Sequence, residues 1–225
     1  MPHYTSFLPP LQGGAKTRQQ NKWAKLTDES YKESLMGIDR KIWASCLGYG
    51  FPIKELRESF DFTDRIKKFI HGKIGLELFC GHGLIGQILI AHNRCDAIYQ
   101  IDKLWSRNRN LVYNLFNKTR VYPIVEEIAE ERVDFINDVD FLISMHGCGQ
   151  LTDIVLDLAI KYKKDVAVCP CCYHLIKTPN AIFGRHNFDY YRIARLIERG
   201  YDVHVREMHQ SISPMNRVII GTLQK

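Results

Sequence analysis

The chain has no apolar run near the roughly 20 residues a bilayer-spanning helix needs, and no transmembrane segment or membrane partner is expected from it. Its opening residues, MPHYTSFLPP, lack the charged start and long apolar stretch of a secretory leader; a cytoplasmic or nuclear location is the expectation. Internal repeats are missing as well, which excludes solenoids and propellers. Cysteine is present, at positions 46, 80, 95, 148, 169, 171 and 172, but an odd count of seven without a leader argues against a disulfide framework. Nor are there two C-x2-C pairs of the kind that build a structural zinc site. The first 25 residues contain no acid at all, while they hold Lys16, Arg18, Lys22 and Lys25.

What is present fits one domain with an attached segment. In 225 residues, a hydrophobic content of 45% is ample for a core. The 31 basic against 25 acidic side chains give a net charge of +6, compatible with a nucleic-acid partner without specifying one. Three regions are expected: a basic irregular arm over 1–26, a helical segment over 27–71 and the main domain over 72–225. In the helical segment, Thr27 can cap a first helix, a second spans Asp39–Leu47, and a third begins near Asp61 or Thr63 and carries Ile66, Phe69 and Ile70.

From Ile74 the pattern alternates between short apolar strands and helical periodicity. Strands are expected at 74–79, 97–101, 121–125, 140–145 and 165–169, and helices at 84–92, 106–117, 151–162 and 188–199. Two final strands, 202–208 and 217–223, have only a loop between them. Alternation of this kind implies a parallel sheet covered on both faces, and the closing pair must be a hairpin, with one strand antiparallel. The fold class is therefore α/β, a seven-stranded, mostly parallel sheet with a terminal antiparallel hairpin, preceded by helices.

The stretch Ile74–Gly86, IGLELFCGHGLIG, runs from a strand through a glycine turn into a helix. Glycines at 81, 83 and 86 allow a tight turn and close approach to a nucleotide-type ligand. In such sheets ligands sit beyond the carboxyl ends of the strands, and Asp102, at the end of the second strand, can accept the ribose hydroxyls of an adenosine. NAD and S-adenosylmethionine both fit. The first glycine of G-x-G-x-x-G is replaced by Phe79, and the terminal hairpin is foreign to an ordinary dinucleotide fold; both favour S-adenosylmethionine.

ELFCGHG resembles motif I of the class I, Rossmann-like, S-adenosylmethionine-dependent methyltransferases. His146-Gly-Cys-Gly-Gln-Leu-Thr-Asp153, Cys169-Pro-Cys-Cys-Tyr-His174 and Ser213-Pro-Met-Asn216 follow in that order. These HxCGxLTD and PCCxH motifs are similar to those of the family that includes the tRNA acceptor-stem 2′-O-methyltransferase and the methyltransferase-like 25 proteins. The resemblance spans roughly residues 70–225. It implies an S-adenosylmethionine cofactor held by Glu77, Phe79, Cys80, Gly81, Gly83, Asp102, His146 and Gly147, and an RNA substrate, with tRNA favoured; the alternatives are a protein or small-molecule acceptor, or a non-catalytic S-adenosylmethionine- or zinc-binding partner subunit. The arm residues Lys16, Arg18, Lys22 and Lys25 would contact phosphates, with Arg107, Arg109, Lys177 and Arg185 as further candidates.

For catalysis the candidates are His146, Cys169, Cys172, His174 and Asp153. The His/Cys cluster, placed just after strands four and five, has three readings. It can hold zinc, supply a thiolate nucleophile, or line the acceptor pocket while a histidine handles the proton of an acceptor hydroxyl. The last is preferred, and no metal ligand set is assigned. Methyl transfer is an in-line displacement from an activated donor, so positioning supplies much of the catalysis. Asp153 also suits the first turn of a helix, as a partner of its dipole.

Overall fold

The computed structural model describes residues 35–116, 118–128, 134–173, 185–213 and 215–224; the expected arm over 1–26 and the helix capped by Thr27 lie outside them. Two helices open the described chain, α1 (Gly37–Gly48) and α2 (Ile53–Ile66). They are followed by β1 (Ile74–Leu78), α3 (Leu84–Ala91), β2 (Ala97–Asp102), α4 (Arg107–Leu115), β3 (Val121–Val125) and β4 (Phe141–Cys148). Then come α5 (Leu151–Tyr162), β5 (Asp165–Cys171), α6 (Arg185–Glu198), β6 (Tyr201–Glu207) and β7 (Arg217–Leu223). No helix of the described residues is long and apolar enough to cross a membrane.

The seven strands form one sheet in the order β3-β2-β1-β4-β5-β7-β6. β1 to β5 run parallel, while β7 is antiparallel to both β5 and β6. β7 is thereby inserted between β5 and β6, and the strand order reverses at the β1/β4 boundary. That reversal opens a crevice at the carboxyl ends of β1 and β4.

Burial on both faces explains why β5 after Asp165 reads as a continuous apolar run rather than an alternating one. One face packs α5 and α6 through Val155, Leu156, Ala159, Ile193 and Leu196 against Leu76, Leu142 and Val166. The other packs α2 and α3 through Phe62, Ile66, Ile85 and Leu89 against Ile98, Phe141 and Ile220. A third cluster joins α1 and α2 to α3 and α4 through Trp43, Phe60, Leu84, Ile88 and Val112. The helical segment is thus an integral layer against α3 and α4.

Two features differ from the sequence expectation. The third helix does not begin near Asp61 but at Ile53, after Pro52, and it ends at Ile66, so Phe69 and Ile70 lie beyond it. Its buried face carries Glu58 and Asp61, 4% and 6% exposed, and these acids interrupt the apolar stripe by which an amphipathic helix is recognised. Asp61 is held there by the His209 backbone N–H at 2.7 Å and by Arg65 at 2.9 Å. In addition, β4 and β5 run further than expected, to Cys148 and Cys171. His146, Cys148 and Cys171 are therefore strand residues rather than residues of the following turns.

Candidate functional site

The turn after β1 is built on left-handed backbone at Phe79, Gly81 and Gly83, with φ of 55°, 54° and 72°. A side chain at Gly83 would strike Gln100, whose Oε1 lies 2.6 Å from the ideal Cβ position. Gln100 is the brace beneath the turn. Its Nε2 donates to the Gly83 carbonyl at 2.5 Å and to Glu77 Oε2 at 2.7 Å. Glu77 Oε2 also accepts the Gly86 N–H at 3.1 Å, tying strand β1 to the first turn of α3. Burial drives the Glu77 carboxyl up to about 7, against the opposing hydrogen bonds from Gln100 and Gly86 and the charge of Arg109.

Above the turn, Asp102 faces the exposed side. Its Oδ2 accepts the Gly81 N–H at 2.9 Å and its Oδ1 accepts the Leu104 N–H at 3.1 Å. The acid and the glycine turn are one unit, and a carboxylate fixed by two backbone donors is pre-oriented toward whatever lies beyond it. Cys80 donates its backbone N–H to the Ile101 carbonyl at 3.1 Å, joining the same two strand ends.

A cavity of about 640 Å³ opens at this point, within the size range of small-molecule and cofactor sites. Phe79 to His82, Ile101 to Lys103, Glu126 to Ile128, Met145 and His146 bring to it the ends of β1, β2, β3 and β4. Leu151 and Ile154 add the start of α5, and Pro52, Lys54, Glu55 and Glu58 add α2. Its acids, Glu55, Glu58, Asp102, Glu126 and Glu127, outnumber Lys54 and Lys103, which suits a cationic ligand.

His146 reaches the cavity because β4 is irregular there. Met145 pairs with Cys169 and Cys148 with Cys171, so three steps on β4 match two on β5, and His146 takes a φ of 59°. A bulge of this kind re-aims a side chain at the edge of a site. His146 Nε2 lies 3.4 Å from Glu58 Oε2, so the helical layer supplies the acid that faces the sheet histidine. Burial would raise the Glu58 carboxyl, yet hydrogen bonding and charge from His146, with Lys54 and Ser213, leave it lowered overall. Across the cavity, His82 accepts the Leu84 N–H on Nδ1 at 3.1 Å and stacks edge-on to Phe51 at 5.1 Å. Burial, with the charge of His146, pulls it down to about 4, so it is neutral at physiological pH.

The structure separates the residues expected from sequence. Phe79, Cys80, Gly81, Asp102 and His146 line the cavity. Glu77, Gly83 and Gly147 do not: Glu77 is 1% exposed behind the turn, Gly83 rests on Gln100, and Gly147 is packed against Ser144 and Thr152. Cys169 and Cys172 also lie off the cavity. The Cys169 thiol is buried, donates to the Met215 carbonyl at 3.4 Å, and is pushed up by burial, the opposite of what a nucleophile requires. Asp153 is engaged by Arg192, whose Nε and Nη2 each donate to it at 2.8 Å. Arg109, a candidate phosphate contact, is instead buried, its Nη2 donating to the Gln100 carbonyl at 2.7 Å. His174, Lys177 and the arm residues lie outside the described residues, and nothing is described of the Arg185 side chain.

Two contributors were missed in the sequence. Gln100 carries a signal, being a polar residue on the inward side of an apolar strand. Glu58 carries none, because its role depends on how α2 packs beside β4.

Residues 71–179 match a family model described as a methyltransferase domain. No curated protein matches the chain. Among solved structures, the methyltransferase domain of the bacterial CtHen1-C is similar at 15% identity and a TM-score of 0.54, covering 76% of this chain and 100% of that one. An rRNA methylase from Streptococcus thermophilus is similar at 12% identity and a TM-score of 0.51, covering 72% and 94%. The fibrillarin/Nop5p complex gives 10% identity and a TM-score of 0.50, covering 68% and 73%. The fold is that of the class I methyltransferases.

Proposed function

We propose that the chain is an S-adenosylmethionine-dependent methyltransferase that acts on RNA, with structured tRNA favoured. The observation that carries the donor assignment is the bond between Gly81 N–H and Asp102, which joins the glycine turn and the ribose-binding type of acid into one cradle at an acid-rich cavity. A sulfonium donor is cationic and carries an ammonium group, and five carboxylates against two lysines around the cavity favour such a ligand. Ile101 and Ile128 offer apolar surface for an adenine ring. When bound, the donor supplies an activated methyl group, and the chain's own residues position the acceptor.

In this reading His146 takes the proton that the acceptor loses as its new bond to carbon forms, and Glu58, 3.4 Å away, stabilises the resulting imidazolium. This reading gives no catalytic role to Asp153, Cys169 or Cys172, which are not among the residues lining the cavity. RNA as acceptor is supported by the +6 charge, the acid-free basic arm, the HxCGxLTD and PCCxH resemblance, and the rRNA methylase among the structures of similar fold.

Calorimetry with S-adenosylmethionine tests the donor side. Asp102→Ala removes a charged acceptor worth about 1.5–3 kcal/mol, so affinity should fall by roughly 10- to 100-fold; unchanged affinity would overturn the assignment. For the acceptor, the chain is incubated with labelled S-adenosylmethionine and separated cellular RNA, protein and metabolites. Label entering RNA supports the reading, and label confined to protein or metabolites ends it.

A further inference from the structure

Three of the seven cysteines form a cluster distinct from the cavity. Cys148 closes β4, Cys171 closes β5 and Cys172 follows it; their sulfurs all lie within 4.8 Å of one another. None lines the cavity. Two irregularities bring them together. The bulge at His146 sets Cys148 directly opposite Cys171, and the left-handed φ of 52° at Cys172 breaks the strand alternation that would send neighbouring side chains to opposite faces.

We infer that Cys148, Cys171 and Cys172 form a binding site for a thiophilic divalent cation, zinc in the first instance. Zinc–sulfur bonds of about 2.3 Å in a tetrahedron put neighbouring sulfurs about 3.8 Å apart. The Cys148 and Cys171 sulfurs are 3.4 Å apart and the third lies within the 4.8 Å envelope, so small side-chain adjustments reach that spacing. Both are free thiols, with their sulfurs in hydrogen-bond contact. Each ligating thiol releases its proton on binding. Three thiolates occupy three positions of a tetrahedron and leave the fourth to water or another donor.

The frame around the thiols is already rigid. Gly149 N–H donates to the Cys171 carbonyl at 3.1 Å, and the buried Arg192 donates to the Gly149 carbonyl at 3.1 Å. On the other arm, the Tyr173 hydroxyl donates to Asp189 Oδ2 at 2.9 Å, and Asp189 is paired with Arg192 and Arg217. Both arms carrying the thiols are therefore anchored to one buried guanidinium, and little ordering remains for a metal to impose. Bound there, the ion ties the β4 bulge to the end of β5, two residues from His146, and so acts as a structural clamp rather than as a reactant. The site does not depend on the methyltransferase reading.

The full chain, purified under reducing conditions, loaded with zinc chloride and dialysed, is assayed by elemental analysis. It should retain about one zinc per chain, as should Cys169→Ser, whose hydroxyl can keep the bond to Met215. Cys148→Ser should lose at least nine-tenths of it. Replacement by cobalt(II) should give the intense thiolate-to-metal charge-transfer absorption of several sulfur ligands, and this decides the matter if circular dichroism finds Cys148→Ser unfolded. A folded wild-type chain that holds no zinc, full retention by folded Cys148→Ser, cobalt without charge-transfer absorption, or an intact mass lower by two hydrogens from a Cys148–Cys171 disulfide would each overturn the inference.

Discussion

Glu77 gives the sharpest physical test of the glycine turn. Its side chain is 1% exposed, and Oε1 has no hydrogen-bond partner among the described residues, while Oε2 serves Gly86 and Gln100. Its carboxyl is raised from an ordinary 4.5 to about 7, first by burial and then by the charge of Asp102. An acid with a raised folded-state value holds its proton in the native chain after the unfolded chain has lost it. The contribution of Glu77 to stability is therefore full below pH 4.5 and declines as pH rises toward about 7. The difference between 4.5 and about 7, at ~1.4 kcal/mol for each tenfold in proton affinity, corresponds to about 3 kcal/mol lost by pH 8. Glu77→Gln keeps an oxygen for Gly86 and Gln100 but has no charge to bury. Its stability should match the wild type near pH 4.5 and exceed it by about 3 kcal/mol above pH 7, a shift of about 1 M or more in the urea midpoint. Asp61 and Asp189, raised by burial, and His82, lowered by it, titrate in both proteins and cancel in the difference. Urea unfolding of the two proteins across this pH range measures it directly. A difference that is flat with pH, or that grows toward low pH, would refute the reasoning.

The other predictions concern the same frame. His82 should stay neutral until about pH 4, so the ring resonances in a proton NMR titration should show no inflection between pH 6 and 7; the native fold should weaken as pH falls from 6.5 toward 4, because the unfolded histidine gains its proton first. Gly83→Ala, with φ at 72° and a Cβ driven into Gln100, should lower stability by roughly 2–5 kcal/mol, whereas Gly81→Ala, with open space around it, should lower it by only about 1 kcal/mol; urea unfolding separates them. Arg192→Met leaves Asp153 and Asp189 without their shared cation, and a loss of about 3–5 kcal/mol in urea unfolding is expected. Glu58→Gln should depress methyl transfer at neutral pH and change its pH profile if His146 is the base, while lowering S-adenosylmethionine affinity less than Asp102→Ala does by calorimetry, since Asp102 and the glycine turn are untouched.

Local pattern determined a large part of this molecule by itself. Apolar runs of strand length separated by helical periodicity specify the α/β order, because burial on both faces demands continuous hydrophobic strands, and the missing crossover before Arg217 specifies the antiparallel hairpin. The glycines at 81 and 83 announce a left-handed turn, and Asp102 was legible as its partner because both sit at strand ends that a parallel sheet must bring together. Tertiary structure alone decided the rest. Nothing in the sequence marks Glu58 or Asp61 as inward-facing, yet α2 buries both, with Glu58 beside His146 and Asp61 accepting the His209 backbone N–H. The two motif turns looked like one His/Cys cluster facing a ligand. A single extra residue in β4 divides it, sending His146 to the cavity and Cys148 across to Cys171 and Cys172. Strand register is set by pairing with neighbours distant in sequence, so a bulge and the direction of every side chain beyond it are invisible until those neighbours are in place.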